Sequence, residues 1–349
     1  MPLENTHLSV ANEILNTTLK KELSIFESPE LKQLFLVAHY VPDIFSVLNE
    51  TEYISSYLHG FGSNGEIVNP NLLILNLLDN CVELRVKEKD GEALANFAIT
   101  MGIVGHGETD IDNHPWIYSL EGIDPLKNDY EESRYKHWLI EGLLHRLWVE
   151  MNPLYLNDIT KVDWSKNIFS NIGTFLNRIG TSSTLIEKAF KEHLTLFQDF
   201  KSDEVYARFT DLAKKGEKPI CYLSTFDAHL TLMEGILQKG VLECRHPVTG
   251  TVMNEIAVPD IIKDSILSTA EIIKASLEYF NQGTSQARAA CVEMIRPLNW
   301  STGFEKYGLA DMKDQTKHNK NKLGNWYGRL PSDMQDLFPI ERRMITSTA

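Results

Sequence analysis

Apolar residues recur at helical spacing along most of this chain, and this periodicity restricts the fold more than any other sequence feature. From residue 72 to residue 82, for example, leucines and a valine return every three or four positions, as on the buried side of a helix. Prolines, glycines and asparagines stand between such segments, as they do between helices. The pattern therefore predicts an all-α fold, a multi-helix bundle.

Capping residues mark where several of these helices begin. Ser28-Pro29-Glu30 places a hydroxyl before a first-turn proline, so a helix is predicted from there through Leu48, bent at Pro42. The next long helix is predicted to begin near Asn69-Pro70-Asn71 and to be interrupted at Lys89-Asp90-Gly91. Further helices are predicted over about 129–151, 164–179, 184–200, 204–214, 222–239, 259–280 and 285–295.

One segment has the pattern of a small β-hairpin. Val241 to Arg245 and Thr251 to Val258 flank His246-Pro247-Val248-Thr249-Gly250, which contains the residues that favour turns. No Pro/Gly/Ser-rich linker divides the chain, so residues 1–300 are predicted to form a single helical domain. Residues 301–349 are predicted to be an irregular, partly basic extension that packs on it, with the lysines at 313–322 in a solvated loop or, alternatively, a lid or an anionic-substrate contact.

Charge and composition exclude several classes of function. A net charge of −14 disfavours nucleic acid as a partner. The N-terminal residues lack the pattern of a signal peptide and no apolar run is long enough to span a membrane, so we expect a cytoplasmic protein. The four cysteines are far apart in the sequence, which argues against a disulfide framework or a structural zinc site.

The run Gly105-His106-Gly107-Glu108-Thr109-Asp110-Ile111-Asp112-Asn113-His114 concentrates metal-binding and proton-transferring side chains. Its glycines, acids and asparagine predict a polar loop between two helical segments. The acids alone would also suit a helix cap or a turn. The run becomes a candidate site because later helices are predicted to bury histidines as well.

Helical geometry places further polar residues near the core. His193 falls at the centre of the apolar stripe of 184–200, and His229 lies on the apolar side of 222–239, with Asp227 nearby. His137 and Glu141 are one turn apart, so they can share one ion or one proton. A single buried histidine is more often a packing residue, and a Glu/His row is more often a surface pair. Their joint occurrence favours a site.

Our first hypothesis is an iron site within the bundle, with a di-iron centre favoured over heme. The candidate metal ligands are His106, Glu108, Asp110, His114, His137, Glu141, His193, Asp227 and His229. Arg134 and Arg288 are candidates for neutralising a substrate carboxylate, although the segment Thr284-Ser285 before Arg288 is better explained as an N-cap, which needs no ligand. The partner predicted is a small-molecule substrate, and the sequence assigns no catalytic residue. A separation of more than about 10 Å between His193 and His229 would contradict a shared site.

Some of these residues resemble a known family. Asn76-Leu77-Leu78-Asp79 with the helix up to Gly102, and Gly105-His106-Gly107 with His114 downstream, are similar to helices of heme-oxygenase-like diiron oxidases. In place of that family's glutamate this chain has Ile103 or Val104, and Asp227-Ala228-His229 matches the later motif in part. The resemblance implies O2 activation, for N-oxygenation or oxidative C–C cleavage of a small amine or acid.

Two alternatives remain open from the sequence. One is a heme-dependent oxygenase of the tryptophan-dioxygenase-like type, with His193 or His229 as the axial ligand. The other is a non-catalytic helical interaction or effector protein in which the histidines are structural. Motifs for dinucleotides, P-loops, α/β-hydrolases and zincins are absent from the sequence.

Overall fold

The structure, a computed structural model, describes part of the chain in detail. The described residues are 4–26, 28–45, 54–55, 58–59, 70–121, 182, 184–185, 187–192, 244–253, 258–300 and 303. Helices dominate these ranges, and the strands within them form one two-stranded antiparallel ladder. The prediction of an all-α bundle with one small β-hairpin is confirmed.

The helices differ greatly in length. They are α1 (Glu4–Glu13), α2 (Pro29–Ala38), α3 (Val41–Ile44), α4 (Pro70–Val86), α5 (Asp90–Glu121), α6 (Val258–Gln282) and α7 (Ser285–Met294). A π-helical turn, Ile14–Thr18, follows α1, and a 3-10 segment, Glu22–Phe26, precedes α2. Residues 184–185 and 187–192 are also helical, in agreement with the predicted helix there.

The predicted helix starts are confirmed at α2 and α7. The Ser28 hydroxyl accepts a hydrogen bond from the backbone N–H of Leu31 at 3.1 Å, and the Thr284 hydroxyl accepts one from Ala287 at 3.2 Å. The prediction that the first helix continues to Leu48 is wrong, because α2 ends at Ala38 and Pro42 lies in the first turn of the separate α3. A proline lacks the N–H that a continuing helix needs, so the break precedes it.

The prediction of a polar loop at 105–114 is also wrong, because the whole run lies within the 32-residue helix α5. Two of its polar side chains bond to the backbone of the helix itself. The Thr109 hydroxyl donates to the carbonyl of Gly105 at 2.7 Å, and the Asn113 amide donates to the carbonyl of Thr109 at 2.7 Å. Tertiary packing therefore outweighs the low helix propensity of glycine, aspartate and asparagine.

Helix α5 is the centre of the bundle and packs against α2, α4 and α6. Close contact with α2 depends on glycine, because a Cβ at Gly102 would overlap Ala38 Cβ and the Phe35 carbonyl oxygen. Nearer the start of α5, Phe97 stacks on Phe280 of α6 with ring centroids 4.5 Å apart. Trp300, which follows α7, is fully buried beside α5.

The hairpin is present but short. Strand β1 (Cys244–Arg245) pairs antiparallel with β2 (Val252–Met253), with Cys244 opposite Met253. Gly250 in the turn has a φ of 72°, a conformation that favours glycine. The predicted second arm extended to Val258, but that residue begins α6.

None of the helices in the described part of the chain is long and apolar enough to span a membrane. The predicted boundary near residue 300 stays a prediction, since of the residues beyond it the structure describes only Gly303.

Arg288, a predicted substrate contact, forms an ion pair between α7 and α4. Its Nε and Nη2 lie 2.8 Å from Oδ1 and Oδ2 of Asp79, and the Tyr279 hydroxyl donates to Oδ1 at 2.7 Å. The Arg288 guanidinium lowers the pKa of Asp79 below its usual value. The structure thus supplies a structural role for this arginine.

We expect Arg288→Ala to lower the free energy of unfolding by about 1 kcal/mol at neutral pH, as for a partly exposed ion pair. Because the folded-state pKa of Asp79 is depressed, this contribution is present above the unfolded-state pKa. It is lost as the pH falls through the folded-state value. Urea unfolding at pH 7 and pH 3 measures the difference. A variant that unfolds like the wild type at pH 7, yet binds metal poorly, would contradict this structural role.

Candidate metal centre

Three helices and a short segment bring histidines and aspartates together inside the bundle. We call this group the His/Asp centre, and its members are His7 of α1, Asp43 of α3, His59, and His106, Asp110 and His114 of α5. Residues 106, 110 and 114 are four apart on one helix, so they form one row along the same face of α5. The row faces α1 and α3.

Glycine allows the neighbouring helix to reach this row. The His39 ring, at the end of α2, lies where a Cβ of Gly105 would be, and the Trp300 indole lies where a Cβ of Gly107 would be. The backbone carbonyl of His39 accepts a hydrogen bond from His106 Nδ1 at 2.7 Å. Each glycine costs helix stability relative to alanine, and close packing around the centre explains why they are tolerated here.

Nε2 of each histidine of the centre lies within 4 Å of an aspartate oxygen. Asp110 Oδ2 lies 3.1 Å from Nε2 of both His59 and His106, and Asp110 Oδ1 lies 3.3 Å from His7 Nε2. Asp43 Oδ1 lies 3.2 Å from His59 Nε2. The His7 and His106 rings stack with centroids 4.0 Å apart.

Backbone carbonyls fix the orientation of three of the imidazoles. Nδ1 of His59 donates to the Ser55 carbonyl at 2.7 Å, and Nδ1 of His114 donates to the Trp300 carbonyl at 3.0 Å. His106 is held in the same way by His39. In each ring Nε2 is therefore left to face the centre. This is the arrangement of metal-ligating histidines, whose second nitrogen is held by a carbonyl or carboxylate.

The centre is nearly closed to water. The side chain of His106 is 0% exposed and that of Asp110 is 2% exposed, whereas Asp43 and His59 each keep 12%. An ion or a small molecule would therefore reach the centre from the side of Asp43 and His59.

Burial and mutual charge oppose each other in this centre. Burial alone would lower the pKa of His59, but Asp110 and Asp43 beside it raise that pKa to about 10. Burial would raise the pKa of Asp110, but the imidazoles of His106 and His114 hold it well below its usual value. At neutral pH the aspartates are anionic, so the centre requires a buried cation, either a proton or a metal ion.

The donor set fits a metal ion. Nε2 of His59 and Nε2 of His106 are 3.3 Å apart. Nδ1 of each ring is held by a backbone carbonyl, so the two Nε2 atoms face each other beside carboxylate oxygens. Two groups of three residues have all their donor atoms within 4.8 Å of one another: His7, Asp43 and His106, and His59, His106 and Asp110. A bound cation would take the place of the proton that His59 otherwise carries, and these buried groups could hold one.

The structure brings together only part of the predicted ligand set. His106 and Asp110 are central members of the centre, and His114 stands at its edge, with Nε2 3.9 Å from Asp110 Oδ1. Glu108 is in neither group of three, because it lies two residues from His106 and on another face of α5. Five predicted ligands and one predicted substrate contact lie outside the described residues: His137, Glu141, His193, Asp227, His229 and Arg134.

His7, Asp43 and His59 were not predicted from the sequence. The i, i+4, i+8 spacing of His106, Asp110 and His114 would have grouped those three on one face if the run had been assigned to a helix. Asp43 follows His39 by four residues, which is a weak signal of the same kind. His7 and His59 carry no local pattern and join the centre through tertiary packing.

Glu108, which is buried, and Asp112, which is partly buried, form a second acidic pair on α5. The Ser268 hydroxyl donates to Asp112 Oδ2 at 3.2 Å, while Glu108 Oε2 is buried without a hydrogen-bond partner. Burial, reinforced by the charge of Asp112, raises the pKa of Glu108 to about 7, and burial raises that of Asp112 to about 6.

We expect Glu108→Gln to stabilise the protein at pH 8 by roughly 3 kcal/mol or less, at about 1.4 kcal/mol per unit of pKa difference. The folded state holds the Glu108 proton between pH 4.5 and about 7, where the unfolded state has released it. Stability therefore falls as the pH rises through this window. Below pH 4.5 the gain should vanish, because glutamine then replaces a protonated acid.

Chemical denaturation across pH 4 to 8 measures this effect. The exposed Glu293→Gln variant is the control and should change the free energy of unfolding by less than about 0.5 kcal/mol at any pH. A Glu108→Gln gain that does not grow with pH would show that Glu108 is not held as a buried acid.

Comparisons with protein-family models, with curated proteins and with solved structures find no match to this chain. The function is therefore argued from the centre itself.

Proposed function

We propose that this protein is a non-heme iron oxidoreductase that acts on a small amine- or acid-type metabolite at the His/Asp centre. The observation that carries the proposal is the composition of the two groups of three. Each consists of two imidazoles and one carboxylate, and both include His106. This is the ligand composition of non-heme iron(II) oxygenases, in which further positions of the metal stay open.

The other residues of the centre support a metal that exchanges ligands. No cysteine belongs to either group, so the donors are imidazoles and carboxylates, which suit Fe²⁺ and Mn²⁺ as well as Zn²⁺. Iron bound there would supply O2 activation and one-electron chemistry. The carbonyls of His39, Ser55 and Trp300 would hold three imidazoles in place through such a reaction.

The burial of the His/Asp centre also suits a reaction at a bound metal. The fully buried His106 and nearly buried Asp110 exclude bulk water from one side, whereas Asp43 and His59 line the side that solvent reaches. A small substrate entering there would meet the centre directly. The substrate class comes from the resemblance to heme-oxygenase-like oxidases, which also favours non-heme iron over the heme alternative.

Reaction with O2 tests the proposal. The full chain is loaded with Fe²⁺ without oxygen, freed of excess iron, and mixed with air-saturated buffer while Mössbauer spectra and O2 uptake are recorded. We expect the bound iron to be oxidised faster than Fe²⁺ in the same buffer, and selected amines or acids to increase O2 uptake. Bound iron that stays ferrous, or that reacts no faster than free Fe²⁺, would contradict an oxidoreductase.

A matched pair of variants links the reaction to the centre. Asp110→Asn removes the carboxylate that faces all four histidines of the centre. Asp112→Asn removes a carboxylate two residues away that is not part of the centre. O2 uptake should be lost in the first variant and retained in the second.

A further inference from the structure

The two aspartates of the His/Asp centre each present their two oxygens to different histidines. Oδ1 of Asp43 lies 3.2 Å from His59 Nε2 and 3.9 Å from His106 Nε2. Oδ2 of the same carboxylate lies 3.9 Å from His7 Nε2. The two oxygens of the Asp43 carboxylate therefore face different histidines.

Asp110 repeats this division. Its Oδ2 lies 3.1 Å from Nε2 of both His59 and His106. Its Oδ1 lies 3.3 Å from Nε2 of His7 and 3.9 Å from Nε2 of His114. Both aspartates thus have His59 and His106 near one oxygen and His7 near the other, and His114 lies near the Asp110 oxygen that faces His7.

We infer that the His/Asp centre holds two divalent cations, bridged by the carboxylates of Asp43 and Asp110. One position has His59, His106, Asp43 Oδ1 and Asp110 Oδ2 as donors. The other has His7, His114, Asp43 Oδ2 and Asp110 Oδ1. This inference rests on the proposed function in that both require the centre to bind metal, but it is independent of any reaction with O2.

Two features of the histidines support two metal positions instead of one. His106 can offer only Nε2 to a metal, because its Nδ1 is bonded to the His39 carbonyl. The ring of His7 stacks on that of His106 at 4.0 Å, with planes 15° apart, and both Nε2 atoms face Asp110 at different oxygens. Two stacked imidazoles at this spacing match the separation of about 4 Å between the ions of two-metal sites.

Buried negative charge also favours cations at this centre. Asp43 and Asp110 are both buried. With neutral imidazoles their carboxylates carry two negative charges, which offset half of the four positive charges of two divalent cations.

The test is a titration of the metal-free full chain with Mn²⁺, followed by metal analysis and electron paramagnetic resonance. We expect the wild type to retain two equivalents of Mn²⁺ with the spectrum of a coupled pair. His114→Ala removes a peripheral donor of one position and should leave one equivalent with the spectrum of isolated Mn²⁺. His7→Ala tests the same position if His114→Ala does not fold, and His246→Ala, in the hairpin turn, should retain two equivalents.

The outcomes separate this inference from the proposed function. One equivalent of uncoupled Mn²⁺ in the wild type would overturn the two-ion inference and leave the proposed function intact. No retained metal would overturn both. A coupled pair that persists unchanged in both His114→Ala and His7→Ala would overturn the assignment of donors to the two positions.

Discussion

Asp110→Asn should lower the affinity of the chain for Fe²⁺ or Mn²⁺ by at least about 100-fold. Loss of a residue that only hydrogen-bonds a metal ligand already lowers metal affinity by about 10–100-fold. Asp110 faces His7, His59, His106 and His114, more donors than any other carboxylate of the His/Asp centre. Asparagine keeps its shape but removes the charge that a cation requires. Equilibrium dialysis with Mn²⁺ measures the change.

Asp112→Asn is the matched control for this prediction. Asp112 lies two residues from Asp110 on the same helix, but its carboxylate accepts a hydrogen bond from Ser268 and belongs to neither group of three. Circular dichroism should show that both variants are helical. Equal metal affinity in Asp110→Asn and the wild type, with both folded, would contradict a metal centre at these residues.

Gly105→Ala should destabilise the protein by about 3 kcal/mol, at the upper end of what overpacking costs in a closed core. The new methyl group would occupy the position of His39 Nε2, and the His39 carbonyl in turn holds His106. We therefore expect loss of metal binding as well as loss of stability. Thermal unfolding and Mn²⁺ titration of the same variant measure the two effects.

Gly91→Ala is the control on the same helix. A Cβ there would meet nothing within 4 Å, so alanine should stabilise the protein by up to about 1 kcal/mol through its higher helix propensity. If Gly105→Ala were as stable as Gly91→Ala, the close approach of α2 to α5 at His39 would be refuted.

The sequence was sufficient for the fold class and for the starts of α2, α4, α6 and α7. Local signals determine these features: the hydroxyl caps at Ser28 and Thr284 form the predicted hydrogen bonds, and the hairpin turn ends at Gly250 as expected. Helix ends were less predictable. α2 ends ten residues before the predicted Leu48, because Pro42 cannot continue it and lies in the first turn of the separate α3.

The site was predictable only in part. His106, Asp110 and His114 share a helix, so their association is encoded locally, but the glycines beside them indicated a loop. Those glycines serve tertiary contacts with His39 and Trp300, which single-sequence propensity does not contain. His7 and His59 come from distant segments, and no local periodicity could place them beside α5.

The most direct test of the account is iron K-edge X-ray absorption on the full chain loaded with Fe²⁺ and freed of excess metal. The His/Asp centre predicts retained iron surrounded by nitrogen and oxygen donors, with outer-shell scattering from several imidazoles, and loss of that signal in Asp110→Asn. Iron that is not retained, or that shows sulfur or porphyrin ligation, would contradict the account.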